Sequence, residues 1–346
     1  MPSARRSVSA TSDLPAFLRR QREERESLES KLLAPAASKA ANSAGREQPE
    51  QPDEFRTAFQ RDRDRILHTK AFRRLKHKTQ VFINPEGDHF VTRLTHTLQV
   101  TQIGRAMAAG LALNEDLTEA ICLGHDVGHS PFGHTGEEAL TPYVDGDWLH
   151  SAHSVRVLSM LEPQNLTQEV IDGIRAHSWR VSPPPSTPEG QLCRLADRIA
   201  YLTHDVADAI RAGILVFSDL PDRARRRFGD SSRQWINQMI RAVIDNSFIE
   251  GSISMDPATL DVMNELRQFM FDRVYLRPEA EMQKERGIIV IKDLMDYFVA
   301  HPEEVPESTT VPDAPPVTRA IDFVAGMTDR YALRLHDRLF RPTLFD

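Results

Sequence analysis

Hydrophobic residues along most of this chain recur every three or four positions, the spacing that lines one face of an α-helix; no sustained alternation of the kind a strand needs is present. The pattern predicts helices over residues 90–111 (Val91, Leu94, Leu98, Ile103, Met107), about 114–124, 148–161, 167–177 and 189–212, then 235–248, 256–274, 279–298 and a last one over 317–339. Local signals support the starts. Asn114 followed by Glu115 and Asp116 suits an N-cap and the positive end of a helix dipole, and Met255-Asp256-Pro257 places a cap before a proline at the first helical position. Thr79 to Phe82 reads as a short extended piece, Asn84-Pro85-Glu86-Gly87-Asp88 as a turn, and the four prolines of 182–188 as a loop that could lie over a site. Residues 1–50 read as a largely flexible arm with one short helix over 14–33, 51–220 as the core, and 221–346 as a helical part completing the site and an assembly surface. The expected fold is all-α.

Composition narrows the function classes. With 346 residues and 40% apolar content the chain can bury a sizeable core. Its N-terminus has Arg5, Arg6, Arg19 and Arg20 but no apolar signal region, and no apolar run approaches 18 residues, so a cytoplasmic protein with no membrane partner is expected. Cys122 and Cys193 lie far apart outside any CxxC pattern and read as buried free thiols. A net charge of -7 disfavours a broad nucleic-acid surface. The arginines and lysines of 56–78 read mostly as a solvated helix face, with one or two left to meet a phosphate-rich ligand. No GxGxxG fingerprint, P-loop or internal repeat is present.

The candidate chemistry lies in His125-Asp126-Val127-Gly128-His129-Ser130-Pro131-Phe132-Gly133-His134. Seven of the thirteen histidines (His89, His96, His125, His129, His134, His150, His153) fall between positions 89 and 153, more than a random scatter would place there. Neutral imidazole and carboxylate are the standard ligands of borderline and hard divalent metals. His96 projects beside the stripe of its helix, with Arg93 one turn earlier. On the helix of 189–212 the apolar stripe leaves Asp197, Tyr201 and Asp205 at i, i+4 and i+8, within about 40° of one another. Alone, that face is a solvated one; beside the histidines, Asp197 becomes a fourth ligand. His96, His125, Asp126 and Asp197 then supply two nitrogens and two carboxylates, leaving positions free for water and substrate. Ser130 to Gly133 cannot continue a helix, so a tight loop presents His134, with Thr135 capping a new helix that carries Glu137 and Glu138.

The spacing H…HD…D resembles the HD superfamily of metal-dependent phosphohydrolases. Further blocks resemble the deoxyguanosinetriphosphate triphosphohydrolase-like proteins: Arg61-Asp62-Arg63-Asp64-Arg65-Ile66, Ala71-Phe72-Arg73-Arg74-Leu75, Lys78-Thr79-Gln80-Val81-Phe82, Arg93-Leu94-Thr95-His96, residues 124–137, Leu195-Ala196-Asp197-Arg198-Ile199-Ala200-Tyr201 and Gly326-Met327-Thr328-Asp329-Arg330-Tyr331. The likeness runs from about residue 50 to the end. It implies an HD-type helical bundle with additional C-terminal helices, and metal-dependent hydrolysis of dGTP or several deoxynucleoside triphosphates at the α-phosphorus, releasing deoxynucleoside and inorganic triphosphate. The implied cofactor is a divalent ion, Mg or Mn first, with Fe, Ni or Zn as alternatives. His134 matches the family's catalytic acid/base and Glu137 its orienting carboxylate. His150 and His129 lie near the phosphates, one donating a proton and the other contacting a phosphate, in an order left open. Arg93, Arg267 and Arg198 would hold phosphate, and Gln80, Tyr201, Asp205 and Tyr275 the deoxyribose, leaving no room for a 2′-hydroxyl. His153 departs from the family, which has an amide there. A homohexamer and an allosteric dNTP or single-stranded DNA site are implied by the resemblance alone.

Three other readings compete: another HD enzyme, a nucleotide phosphatase or phosphodiesterase, using the same metal set; a protein that senses deoxynucleotides without turnover; and a helical scaffold with incidental histidines.

Overall fold

The computed structural model describes residues 17–82 and 89–342; the turn expected at Asn84 to Asp88 lies outside them, as does Leu14 of the expected first helix. Helices account for the architecture, with two isolated β-bridges among the described residues, Arg46 with Thr167 and Thr79 with Thr92. In chain order the helices are α1 (Arg22–Leu32), α2 (Ala58–Leu67), α3 (Lys70–Arg74), α4 (Arg93–Gly110), α5 (Glu115–Gly124), α6 (His134–Leu140), α7 (His150–Arg156), α8 (Gln168–Ala176), α9 (Pro188–Arg211), α10 (Asp222–Phe228), α11 (Ser232–Glu250), α12 (Pro257–Met270), α13 (Pro278–Ala300), α14 (Pro316–Ala325) and α15 (Asp329–Phe340). None is long and apolar enough to cross a membrane.

Polar side chains start many of these helices. Asn114 accepts from Leu117 N, Asp256 from Thr259 N before Pro257, and Thr187 from Gly190 N before Pro188. Thr92 opens α4 with a reciprocal bond to Thr95, which sets where Arg93 and His96 point.

Two hydrophobic cores form. The larger joins α2, α4, α5, α8, α9, α11 and α12 through residues such as Ile66, Ile103, Ile121, Ile174, Ile199 and Met263. The smaller joins α6, α13, α14 and α15 through Phe132, Leu140, Leu294, Phe298, Val324 and Leu335. The segment after α5 spans the seam: Val127 is buried in the larger core and Phe132 in the smaller. The histidine run thus crosses from one core to the other.

Several sequence expectations change. The last helix divides at Gly326 to Thr328, where Thr328 caps α15 and Asp329 turns inward to accept from Thr79 N (2.8 Å) and Phe132 N (3.0 Å). Hydrogen bonds to a charged group contribute about 1.5–3 kcal/mol each. The basic stretch of 56–78 breaks into α2 and α3 because Thr69 caps the second piece. Thr135 does not cap α6; Gly133 occupies that position. The segment after α1, expected to belong to a loose arm, is tied down: Ala37 and Ala40 are buried, Ser38 bonds Glu189, and Arg46 pairs with buried Asp62. The proline loop is likewise anchored, through Ser186 to Asp172 of α8.

Candidate active site

α4, the end of α5 and α9 bring His96, His125 and Asp197 together, one ligand atom of each lying within 4.8 Å of the others. His125 Nδ1 is 2.6 Å from Cys122 O. A carbonyl only accepts, so Nδ1 carries the proton and Nε2 keeps its lone pair. That Nε2 is buried with no hydrogen-bond partner, an arrangement that needs a ligand to account for it. His96 Nε2 faces Asp197 Oδ1 at 3.1 Å, and burial lowers the His96 pKa, favouring the neutral ring. Burial pushes the Asp197 carboxyl up, but the bonded His96 and the neighbouring His125 and His177 hold it below the usual range. An orphaned imidazole nitrogen, a second imidazole and an ionised carboxylate fit a divalent cation.

Asp126 stands at the edge of this group. Its Oδ2 accepts from Arg93 Nη1 at 2.8 Å, while Oδ1 lies 3.7 Å from His125 Nε2 and 3.9 Å from His150 Nε2. Burial raises its pKa, yet Arg93 and the surrounding histidines hold it well below the carboxylate range. Of the four expected metal ligands, three converge and the fourth borders a second cluster.

That cluster contains His129, His134, Glu137 and His150, again with ligand atoms within 4.8 Å of one another. Two glycines let the chain reach it. A Cβ on Gly128 would sit 2.2 Å from Ser154 N, and Gly133, at φ +62°, would place one 2.7 Å from Arg93 Nη2. Glu137 Oε2 is 2.9 Å from His134 Nδ1, and its Oε1 accepts from His150 N at 2.9 Å and lies 2.5 Å from His150 Nδ1. Burial pushes Glu137 up, but His150 and His134 hold it far below the carboxylate range. Burial lowers His150, and the Glu137 charge outweighs it and raises the pKa. His150 Nε2 is 3.0 Å from His177 Nε2, whose other nitrogen is 2.7 Å from Ile174 O. His177 is therefore protonated at Nδ1 and accepts at Nε2, so His150 donates from both nitrogens. His129 stacks on His150 with centroids 4.3 Å apart; burial, with Arg93 and His150, keeps it neutral, and its Nδ1 has no partner. His134 differs: its side chain is 77% exposed, while Glu137 behind it is buried.

The residues expected to hold substrate line the surroundings. Arg93 is buried and paired with Asp126. Arg198 bonds Asn264 Oδ1 and lies over the Trp179 ring, and Arg267 lies over Phe271. α12 widens into a π turn over Phe271–Tyr275, from which Tyr275 donates to Asp205 Oδ2. Gln80 Oε1 is buried without a partner. The Asp197, Tyr201, Asp205 face of α9 thus meets α4, α12 and the π turn in succession.

Periodicity gave no hint of four supporting residues. His204 Nε2 is 2.9 Å from His96 Nδ1, with its Nδ1 2.9 Å from Asp205 Oδ1, and His177 backs His150. Lys78 donates to His129 O and, at 3.0 Å, to Ala325 O, while burial lowers its pKa to about 7. Asp329 holds Phe132 N as described. Lys78 and Asp329 stand in the motif blocks; His204 adjoins Asp205, and His177 ends α8. His153 belongs to neither cluster: it lies against Trp148 and lines a cleft of about 490 Å³ with Lys70, Arg74, Tyr331 and Arg334.

Residues 93–202 match the HD domain and residues 253–338 the phosphohydrolase-associated domain. A deoxyguanosinetriphosphate triphosphohydrolase-like protein of Caldanaerobacter subterraneus subsp. tengcongensis is 48% identical over 328 residues, covering 93% of this chain and 96% of its own. One of the same name from Desulfatibacillum aliphaticivorans is 43% identical over 345 residues, covering 93% and 98%. A solved phosphohydrolase from Bacteroides thetaiotaomicron shares the fold, with a TM-score of 0.50 at 16% identity over 80% of this chain and 69% of that one.

Proposed function

This chain belongs to the deoxyguanosinetriphosphate triphosphohydrolase-like family of HD-domain phosphohydrolases, and on that premise we propose that it hydrolyses deoxynucleoside triphosphates, dGTP or several of them, to deoxynucleoside and inorganic triphosphate. The observation that carries the reading is the adjacency of a metal-type cluster and a proton-carrying one, with Asp126 Oδ1 within 4 Å of a histidine nitrogen in each. A divalent ion held by His96, His125, Asp126 and Asp197, magnesium or manganese in the first instance, supplies Lewis acidity toward phosphate oxygens and lowers the pKa of nearby water.

The side chains divide the remaining work. Arg93, Arg198 and Arg267 offer planar guanidinium donors to the triphosphate. Asp205, Tyr275, Tyr201 and Gln80 form the polar wall for the sugar, with Asp205 accepting from the 3′-hydroxyl. Water adds to the α-phosphorus, the bond to the 5′-oxygen breaks, and that oxygen takes a proton as the deoxynucleoside leaves. His134 is the proton carrier, because its Nδ1 is oriented by the Glu137 carboxylate while its ring reaches solvent, leaving Nε2 for the substrate. His150, with both nitrogens engaged, serves as a fixed positive charge facing the phosphates, and neutral His129 packs against it.

Anion-exchange analysis of the products from dGTP with Mn²⁺ or Mg²⁺ tests this. Inorganic triphosphate with deoxyguanosine is expected; orthophosphate or pyrophosphate would point to a different HD phosphohydrolase.

A further inference from the structure

The cleft of about 490 Å³ lies between α3, the π turn Val157–Leu161 that follows α7, and the break from α14 to α15. Lys70, Arg74 and Arg334 line it, and among the described residues none of the three pairs with a carboxylate. The two carboxylates on its wall are engaged elsewhere: Glu162 accepts from Lys70 N (2.7 Å) and Ala71 N (3.1 Å), and Asp322 takes Arg156 at 2.6 Å through each oxygen. Arg74 is half-buried, and a Cβ on Gly326 would lie 3.4 Å from its Nη1, so the guanidinium rests against the helix break. Deeper in, His153 is 5% exposed and its Nε2 is buried with no hydrogen-bond partner. A buried ring nitrogen left unpaired, in a residue that lines a cleft, points to a ligand there.

We propose that this cleft binds a phosphomonoester with an apolar body, the phosphate held by Lys70, Arg74 and Arg334 and the body laid against Val157, Leu161, Phe323 and Met327. Three cations outmatch a single carboxylate and suit a dianion, and guanidinium forks take phosphate oxygens two at a time. The volume is of small-molecule size, within the usual range of about 300–1,000 Å³, and leaves room beyond the phosphate. Tyr331 stands edge-on to Phe323, with centroids 6.4 Å apart, and extends the apolar side. Burial, with Lys78 and Arg156 nearby, lowers the His153 pKa to about 3, so the ring is neutral and offers a hydrogen bond from the floor. His153 stands one turn after His150 on α7 yet belongs to neither cluster, so the site is separate from the candidate active site and does not rest on the function proposed above.

The test is calorimetric titration of the metal-stripped full chain with phenyl phosphate. Phenol and inorganic phosphate, the body and the head alone, should each bind about 10-fold more weakly than the ester, or weaker still. Arg74→Gln and Arg334→Gln should each weaken phenyl phosphate by about 10-fold or more, the loss of a charge-assisted hydrogen bond, whereas Arg267→Gln, at the candidate active site, should leave its affinity unchanged. Arg334 is exposed, so its variant remains informative if Arg74→Gln loses its helical circular dichroism. Wild-type affinity in both cleft variants, or a loss in Arg267→Gln as large as theirs, places the probe outside the cleft and overturns the site, as does the absence of binding at millimolar probe. Inorganic phosphate binding as tightly as the ester overturns the apolar body and with it the proposed class of ligand.

Discussion

His96, His125 and Asp197 stand on or at the end of α4, α5 and α9, helices packed in the larger core, whereas His129, His134 and Glu137 stand on a bend and a short helix that lead into the smaller one. Dense helix packing holds the first group. The second depends on a glycine-permitted turn and on two distant anchors, Lys78 on His129 O and Asp329 on Phe132 N. The exposures follow: His96 and His125 are buried, while His134 reaches solvent. Rigid helices suit the cation ligands proposed for the first group, and a supported loop suits the proton carrier proposed for the second.

The largest expected effect comes from the residue between the two groups. Asp126→Ala should abolish metal retention and activity together, since it removes a carboxylate that faces both clusters and leaves Arg93 buried without its partner. Metal content measured on the purified variant checks this, and a wild-type level would separate Asp126 from the metal site. Next, His134→Ala should lower kcat by about 10²–10⁴-fold while metal and nucleotide binding persist. Retained turnover would remove His134 from the mechanism. His204→Ala acts on the first cluster alone: losing the group 2.9 Å behind His96 should weaken metal affinity by about 10–100-fold in a chelator competition. An unchanged affinity would show that α4 packing suffices to orient His96.

The smallest effect belongs to a histidine in neither cluster. Burial, with Lys78 and Arg156 nearby, lowers the His153 pKa from 6.5 to about 3. Between those values the unfolded chain binds a proton that the folded one refuses, so this contribution to stability is present above pH 6.5 and is lost as pH falls toward 3. In His153→Leu the urea midpoint should fall less steeply across that window than in the wild type. Equal slopes would mean that His153 is charged in the folded protein.

Much of the helical framework was legible because helix signals are local. A 3.6-residue period, Asn114 before Glu115, and Asp256 before Pro257 all act within a turn or two of the chain. The density of histidine likewise marked where chemistry is concentrated, and the motif blocks carried the family. Distant partners were not legible. Gly326 and the Thr328 cap are local marks of a break in the last helix, but nothing in the chain announces that Asp329 holds the backbone of residues 79 and 132, or that residues 37–46 lie on α2 and α9.

By itself, then, the sequence determined the helices, their starts, the family and the inventory of imidazoles and carboxylates. Tertiary structure decided the grouping: that His125 leaves an orphaned nitrogen toward His96 and Asp197, that Asp126 turns to Arg93 and borders both clusters, and that His177 and His204 stand behind His150 and His96. Those relations join residues about 30 to 110 positions apart, and they arise only when two cores close on the seam that the histidine run crosses.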